Sequence, residues 1–314
     1  MVVGLIDVDN WGKLKGCFPN LPLMKLSTHH KKLGDTVKWY DGSYCDLVYM
    51  SKVFSFSEEP FTEINAGQVI KGGSGYAISL KDGHEVFDKE THTNLPYEIE
   101  HSFPDYSLYG ITDTAYGFMS RGCPRQCDFC HVKDKEGIRS YKVADLSEFW
   151  NGQKHIQLFD PNTFACREWR DILQQLIDSG ASVDFNQGVD IRLLTEEKIE
   201  LLRQIKLENI HFAYDRYEDK AFIEPKFRKL KEMTGWGRAL VTVYVLTNFN
   251  TTIDQDLERV EFLRSLDFRP YVMRYDKEHI KRGSEINKLA RWCNSKYGFI
   301  WKYSYEEYKE ITYK

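Results

Sequence analysis

The sequence has no stretch of eighteen apolar residues, so no segment of it reads as a membrane-spanning helix. Its first residues, Met1 to Asp9, lack the basic region, the long apolar run and the small-residue cleavage site of a secretion signal, which makes the cytoplasm the expected location. Arginine is missing from the first 120 residues; all sixteen lie from Arg121 onward. Residues 1–110 carry ten lysines against fifteen Asp and Glu, while the remainder is nearly balanced with 33 basic and 32 acidic residues. Guanidinium groups suit carboxylates and phosphates, so the skew points to a second half that handles anionic ligands, or simply to ordinary solvated helix faces. No tract of basic residues interleaved with aromatics stands out, which leaves RNA as a permitted substrate without arguing for it. Cysteine is scarce and odd in number: seven residues without the spacing of a small secreted domain argue against a disulfide framework.

What is present is the composition of a globular chain, 42% hydrophobic and 29% charged over 314 residues. At about 150 residues per domain, that length suits two domains or one large α/β barrel. The first segment, 1–110, opens on a strand over Val2 to Asp9. A helix follows, started by Phe18 to Pro22, carrying an apolar stripe of Leu23, Leu26, His30 and Leu33, and stopped by Gly34. Strands are expected at Thr36 to Tyr40, Asp46 to Val53 and Gln68 to Ile70, the last running into the turn Gly72-Gly73-Ser74-Gly75. This order predicts a Rossmann-like layer. Residues 77–110 lack periodicity and read as a linker.

From residue 111 to 314 strand and helix patterns alternate about every 30 residues. Strands are predicted at 115–120, 155–160, 183–187, 209–215, 240–247 and 269–275, and amphipathic helices at 168–178, 196–206, 221–233, 256–265 and 285–295. Six β/α units imply a parallel sheet and suit a (β/α)6 partial TIM barrel better than a closed eightfold one. In such a sheet ligands meet the carboxyl ends of the strands.

Three of the seven cysteines fall together, on the loop that follows the first of these strands and would face the barrel mouth: Cys123, Cys127 and Cys130 in Ser120-Arg121-Gly122-Cys123-Pro124-Arg125-Gln126-Cys127-Asp128-Phe129-Cys130-His131. Three thiolates within eight residues can wrap one metal or an iron–sulfur cluster. Three protein ligands leave one iron of a [4Fe-4S] cluster open to a small molecule, whereas structural zinc needs a fourth ligand, for which His131 sits too close to Cys130. The remaining readings are zinc and a trio of core cysteines. Cys17, Cys45, Cys166 and Cys293 read as small buried hydrophobes.

The C-x3-C-x2-C spacing with an aromatic before the last cysteine, on the loop after the first strand of a six-unit β/α pattern, resembles the radical S-adenosylmethionine (radical SAM) superfamily. The wider string, Tyr116-Gly117-Phe118 through Arg121-Gly122-Cys123-Pro124 to Glu136-Gly137, is most similar to members with an N-terminal cobalamin (B12)-binding-like domain and, more distantly, to methylthiotransferases. The resemblance implies that Cys123, Cys127 and Cys130 ligate a [4Fe-4S] cluster, that S-adenosylmethionine chelates the fourth iron, and that Phe129 lies beside its adenine. It further implies reductive cleavage to a 5′-deoxyadenosyl radical, with electrons from a flavodoxin or ferredoxin. The substrate, a small molecule, peptide or RNA, stays open, with methyl or methylthio transfer as the leading outcome. The alternative is a non-catalytic iron–sulfur or zinc protein acting as redox sensor or scaffold.

At the second strand end the family's frequent Gly-Gly-Glu is absent; Asp160 and Asn162 stand there and could contact the amino group of the ligand, or could equally be ordinary caps. Gln187, Asp190 and Arg192 follow the third strand, with Arg192 placed to pair with a carboxylate and Asp190 to reach a ribose. Tyr214, Asp215 and Arg216, then Thr247 and Asn248, then Arg274, end the later strands and are rim candidates or plain salt-bridge and cap residues. The Asp-x-His-x-x-Gly pattern of a cobalamin lower ligand is missing. Its nearest string, Asp82-Gly83-His84, has Phe87 in place of the glycine, which leaves cobalamin doubtful and Gly72 to Gly75 as the contact loop of the first domain. His29 and His30 read as a helix pair facing different ways.

Overall fold

The structure, a computed structural model, describes residues 1–12, 18–81 and 84–313. The chain divides into two compact units. The first is residues 1–117 with 122–139 and 143–154; the second is residues 118–121 and 140–142 with everything from His155 onward.

In the first unit β1 (Val2–Asp7), α1 (Leu21–Lys32), β2 (Thr36–Trp39), β3 (Cys45–Ser51) and β4 (Ala66–Gly72) form a parallel sheet in the order β2-β1-β3-β4. The run of Val3 to Asp7 is buried throughout because both faces of β1 are covered. One face packs Ile6, Tyr40, Cys45, Val48 and Met50, and the other packs Val3 and Leu5 against Leu23 and Leu26 of α1. α1 begins where expected: Asn20 accepts from the Leu23 amide at 3.2 Å, with Pro22 in the first turn. Gly34 takes φ +83° just after its last turn.

Beyond β4 come α2 (Ser74–Ala77), the antiparallel hairpin β5 (Ile78–Lys81) and β6 (His84–Phe87), and α3 (Tyr97–Glu100). The stretch read as a linker is therefore structured. Lys25 pairs with Glu100, Ser27 donates to Asp105 at 2.6 Å, Thr28 donates to the carbonyl of Phe103, and Ile99 joins the core. Four-residue elements are too short to show a helical or strand period, which is why the sequence pattern is silent there.

The chain then runs through β7 (Thr114–Gly117), β8 (Ser120–Arg121), α4 (Val132–Lys135) and β9 (Tyr141–Lys142). The single strand expected over 115–120 is broken at Phe118, and β8 pairs instead with β9, antiparallel. From His155 the alternation is regular: β10 (His155–Leu158), α5 (Trp169–Ser179), β11 (Ser182–Phe185), α6 (Glu196–Leu202), β12 (Lys206–Ala213), α7 (Lys220–Thr234), β13 (Val241–Thr247), α8 (Ile253–Ser265), β14 (Arg269–Arg274) and α9 (Glu285–Asn294), closed by α10 (Phe299–Lys302) and α11 (Tyr305–Thr312). The sheet has six strands in the order β14-β13-β12-β11-β10-β7, so spatial order follows chain order. The pairs from β10 to β14 are parallel.

Alternate residues of these strands, Ile156 and Leu158, Val183 and Phe185, Ile210 and Phe212, Val243 and Val245, are fully or almost fully buried. On β12 this face meets the helices, for the Phe212 ring lies 5.9 Å from Phe227 of α7, which in turn packs near Phe262 of α8. Each such Phe or Leu contributes roughly 1.5–3 kcal/mol by burial. Thr195, Thr252, Ser284 and Ser304 cap α6, α8, α9 and α11 through their side-chain oxygens.

The glycine turn after β4 is explained by packing. Gly73 has φ +99°, and a Cβ there would lie 2.3 Å from the carbonyl oxygen of Lys52; one on Gly75 would lie 2.8 Å from that of Phe54. Gly73→Ala is expected to destabilise the protein by about 1–3 kcal/mol in urea unfolding. Gly110→Ala, with φ +65° and open space around it, is expected to cost less. Equal costs would contradict this packing explanation.

Candidate functional site

The ladder of β8 with β9 joins Ser120 to Lys142 and Arg121 to Tyr141, which brings together the two ends of the segment 122–140. Inside that neck Gly122 takes φ +76°, and a Cβ on it would stand 2.1 Å from the carbonyl oxygen of Arg139. The Gly122 amide donates to the Glu136 carboxylate at 3.0 Å and the Cys123 amide to the carbonyl of Gly137 at 3.2 Å. The Cys130 amide donates to the carbonyl of Cys127, making a turn between the second and third thiols. Cys123, Cys127, Phe129 and Cys130 are all half-buried.

His131 turns toward the hairpin. Its Nε2 lies 3.4 Å from Glu85, and its ring stacks on Phe87 at 6.1 Å. Among the described residues no group of three or more His, Cys, Asp or Glu side chains stands together as a metal-holding set. The donor set itself suits soft-metal chemistry, with three thiols within eight residues on a loop whose neck is closed by backbone and carboxylate contacts. A metal or cluster would gather the sulfurs as it binds.

Asp160 has a different role from the one expected. It is 3% exposed, and its Oδ1 accepts from the Met119 amide at 2.8 Å while Oδ2 accepts from the Ser120 amide at 2.8 Å, the Ser120 hydroxyl at 2.6 Å and Thr163 at 3.3 Å. Both oxygens are committed to holding residues 119 and 120, which explains why the strand breaks at Phe118. Burial raises its pKa to about 6, against the hydrogen bonds that pull it down. Asn162 is buried beside it, its carbonyl accepting from Ser140.

After β11, Gln187 is exposed on the turn. Asp190 caps the short turn 191–193, accepting from the Arg192 amide at 3.1 Å and from its Nε at 2.7 Å, and Arg192 also reaches Asp219 at 3.3 Å. A bound carboxylate at Arg192 would compete with these two. Tyr214, expected on the rim, is fully buried among Phe227 and Phe262, and its hydroxyl donates to Glu224. The reason is strand alternation: 212 and 214 share the helix-facing side. Asp215 is pushed up to about 6 by burial and accepts from the Leu246 amide. The other rim candidates bond to neighbouring chain: Arg216 with Glu218, Thr247 with the carbonyl of Met273, Asn248 with that of Tyr275, Arg274 with Asn287.

The face opposite the helices holds residues that the sequence reading passed over: Gln157, Asp184, His211 and Tyr244. The signal was a polar residue at every second place in strands otherwise composed of core residues.

At the carboxyl ends of β1 and β3 the first unit closes on itself. Asp7 accepts from the Tyr109 hydroxyl and from Asn10 at 2.6 Å each, Asn20 donates to Ser51 at 2.8 Å, and Asp9 accepts from the Val53 amide and Ser57. None of these described residues is a histidine. Asp82 and Gly83 of the string nearest a cobalamin signature lie outside the described residues, as does Cys17.

No protein-family model matches the chain, and no curated protein matches it in sequence. No described helix is long and apolar enough to cross a membrane.

Asp160 gives a pH test. Its raised pKa makes the stability it contributes fullest below about pH 4 and lost as pH rises through about 6, by about 3 kcal/mol at most. Asp215 acts in the same direction. Urea unfolding between pH 4 and 7 should show Asp160→Asn flattening part of that slope. It should also destabilise the protein at pH 7 by about 1–3 kcal/mol, since an amide NH2 would then face the Ser120 N–H. An unchanged slope would remove Asp160 from this role.

Proposed function

We propose that the chain is a radical SAM enzyme, built as a Rossmann-like, cobalamin-binding-like layer followed by a (β/α)6 partial barrel. The observation that carries the reading is the loop 122–139, with three half-buried thiols spaced C-x3-C-x2-C behind a closed neck. A parallel sheet whose strands follow chain order supports the barrel. His131 engaged with Glu85 and Phe87 favours three ligands over a closed four-ligand zinc site.

In this reading Cys123, Cys127 and Cys130 would hold a [4Fe-4S] cluster, and three protein ligands would leave it open to S-adenosylmethionine. When bound, the cluster supplies the electron that cleaves the sulfonium and starts carbon-centred radical chemistry. The protein's part is to bind, orient and exclude water. Phe129 offers a ring for the adenine, Arg192 a guanidinium for the carboxylate, and Asp190, Asn162 and Gln187 polar groups around the ligand. Asp160 acts one step back, by fixing residues 119 and 120 ahead of the loop. A flavodoxin or ferredoxin would deliver the electron. No step is assigned to cobalamin. Transfer of a methyl or methylthio group to an unreactive carbon is the favoured outcome.

Anaerobically reconstituted protein given dithionite and S-adenosylmethionine should release 5′-deoxyadenosine, and Cys127→Ala should lower the release at least 100-fold. Iron incorporation without any cleavage would favour a non-catalytic iron–sulfur protein, and bound zinc without iron would favour a scaffold; either result overturns the enzyme reading.

A further inference from the structure

Lys198 of α6 is 6% exposed, an unusual place for an ammonium group, and the radical SAM reading gives it no part. Its Nζ donates to the carbonyl of Phe164 at 3.1 Å and to that of Leu193 at 2.9 Å. The rings of Phe164 and Trp169 lie against it, with centroids 5.0 and 4.8 Å away. Both hydrogen-bond acceptors are main-chain carbonyls rather than a carboxylate. Burial pushes its pKa down to about 8, with Arg170 and Lys226 acting in the same direction and Asp190 and Glu197 against it. The neutral amine still has two N–H groups for the two carbonyls, so these contacts hold on either side of that value.

The two carbonyls belong to different loops. Phe164 lies in the turn 163–165 after β10, which follows Asn162 directly, and Leu193 ends the turn 191–193 after β11, next to Arg192. Each turn is bonded onward. Thr163 donates to Asp160, which holds the amides of residues 119 and 120, and the Asp190 carboxylate accepts from Arg192 Nε. Lys226 of α7 donates to the next carbonyl, that of Leu194, at 3.0 Å. Hydrogen bonds joined by one or two residues of chain thus lead from residues 119 and 120, through Asp160 and Lys198, to Arg192.

We propose that Lys198 is a positioning residue for a carboxylate-bearing ligand: by tying the turn after β10 to the turn after β11, it fixes where the Arg192 guanidinium stands relative to residues 119 and 120. This role rests on the proposed pairing of Arg192 with the carboxylate of S-adenosylmethionine. Lys198 itself touches no ligand. A methionine in its place would keep the length and the contact with the two rings. It would leave both carbonyls without their donor, and the two turns could then move independently.

Two measurements on the full chain separate this role from the enzyme reading. In the first, hydrogen exchange is followed in the unaltered chain and in Lys198→Met, without iron or S-adenosylmethionine. The amides of Ala165 and Cys166 donate within the first turn and those of Leu193 and Leu194 within the second. All four should exchange at least tenfold faster in Lys198→Met, while the amides of β13 keep their rates. A change in one turn only, a change in neither, or a variant that does not fold at all overturns the proposal.

In the second, with the cluster reconstituted anaerobically, equilibrium dialysis compares S-adenosylmethionine with its decarboxylated analogue. Lys198→Met should raise Kd for S-adenosylmethionine about tenfold and Kd for the analogue less than twofold. Equal losses for the two ligands would make Lys198 a packing residue and overturn the positioning role. Failure of the unaltered chain to bind either ligand would overturn the enzyme reading and the role that rests on it, while the exchange rates still decide whether Lys198 ties the two turns.

Discussion

A single buried carboxylate sets the start of the cysteine loop. Asp160 accepts hydrogen bonds from two successive amides and a hydroxyl at residues 119 and 120, where a continuing strand would have spent those amides on a sheet neighbour. Freed from the sheet at that point, the chain makes the short antiparallel pair β8–β9, and the segment between the two strands becomes a closed loop. Gly122 then passes so near the carbonyl of Arg139 that no side chain fits. The three thiols thus sit on a loop whose neck is fixed by contacts that involve no sulfur. Under the proposed reading, a frame of this kind would present the cysteines without depending on a metal to exist.

The two faces of the larger sheet divide the labour. Residues of one parity fill the space under the helices, and Phe212, Tyr214, Phe227 and Phe262 make one aromatic core there. Buried Arg259 of α8 ties the carboxyl ends of β12 and β13 by donating to the carbonyls of Tyr214 and Leu246, balanced by Asp256. Several residues of the other parity, among them Gln157, Asp184, His211 and Tyr244, are polar, and burying such groups is costly unless they are hydrogen-bonded. The pairing of a rigid apolar side with a polar one is what lets a β/α scaffold hold side chains in place for chemistry.

Much of this was legible in the sequence. The β/α alternation from His155 onward was visible because strands of apolar residues and amphipathic helices differ in period, and the element ends came within a few residues. The strand at the cysteine loop was misread because its break depends on Asp160, forty residues away, and no local pattern announces a carboxylate that will accept backbone amides. For the same reason Asp160 looked like a ligand contact. Tyr214 looked like a rim residue because it ends a strand, yet alternation from Phe212 already placed it on the helix side. The structure in 77–110 was hidden by its brevity. Asp184 and His211 were overlooked because they lie in different strands, and only the pairing of neighbouring strands puts them side by side.

Three thiols of one loop are proposed to hold a cluster with one iron left for an exchangeable ligand. Mössbauer and electron paramagnetic resonance spectra of the anaerobically reconstituted, 57Fe-labelled protein, with and without S-adenosylmethionine, test it most directly. The account predicts a [4Fe-4S] cluster with one distinguishable iron whose parameters shift when the ligand is added. Four equivalent irons indifferent to the ligand, or a cluster that survives loss of all three of Cys123, Cys127 and Cys130, would contradict it.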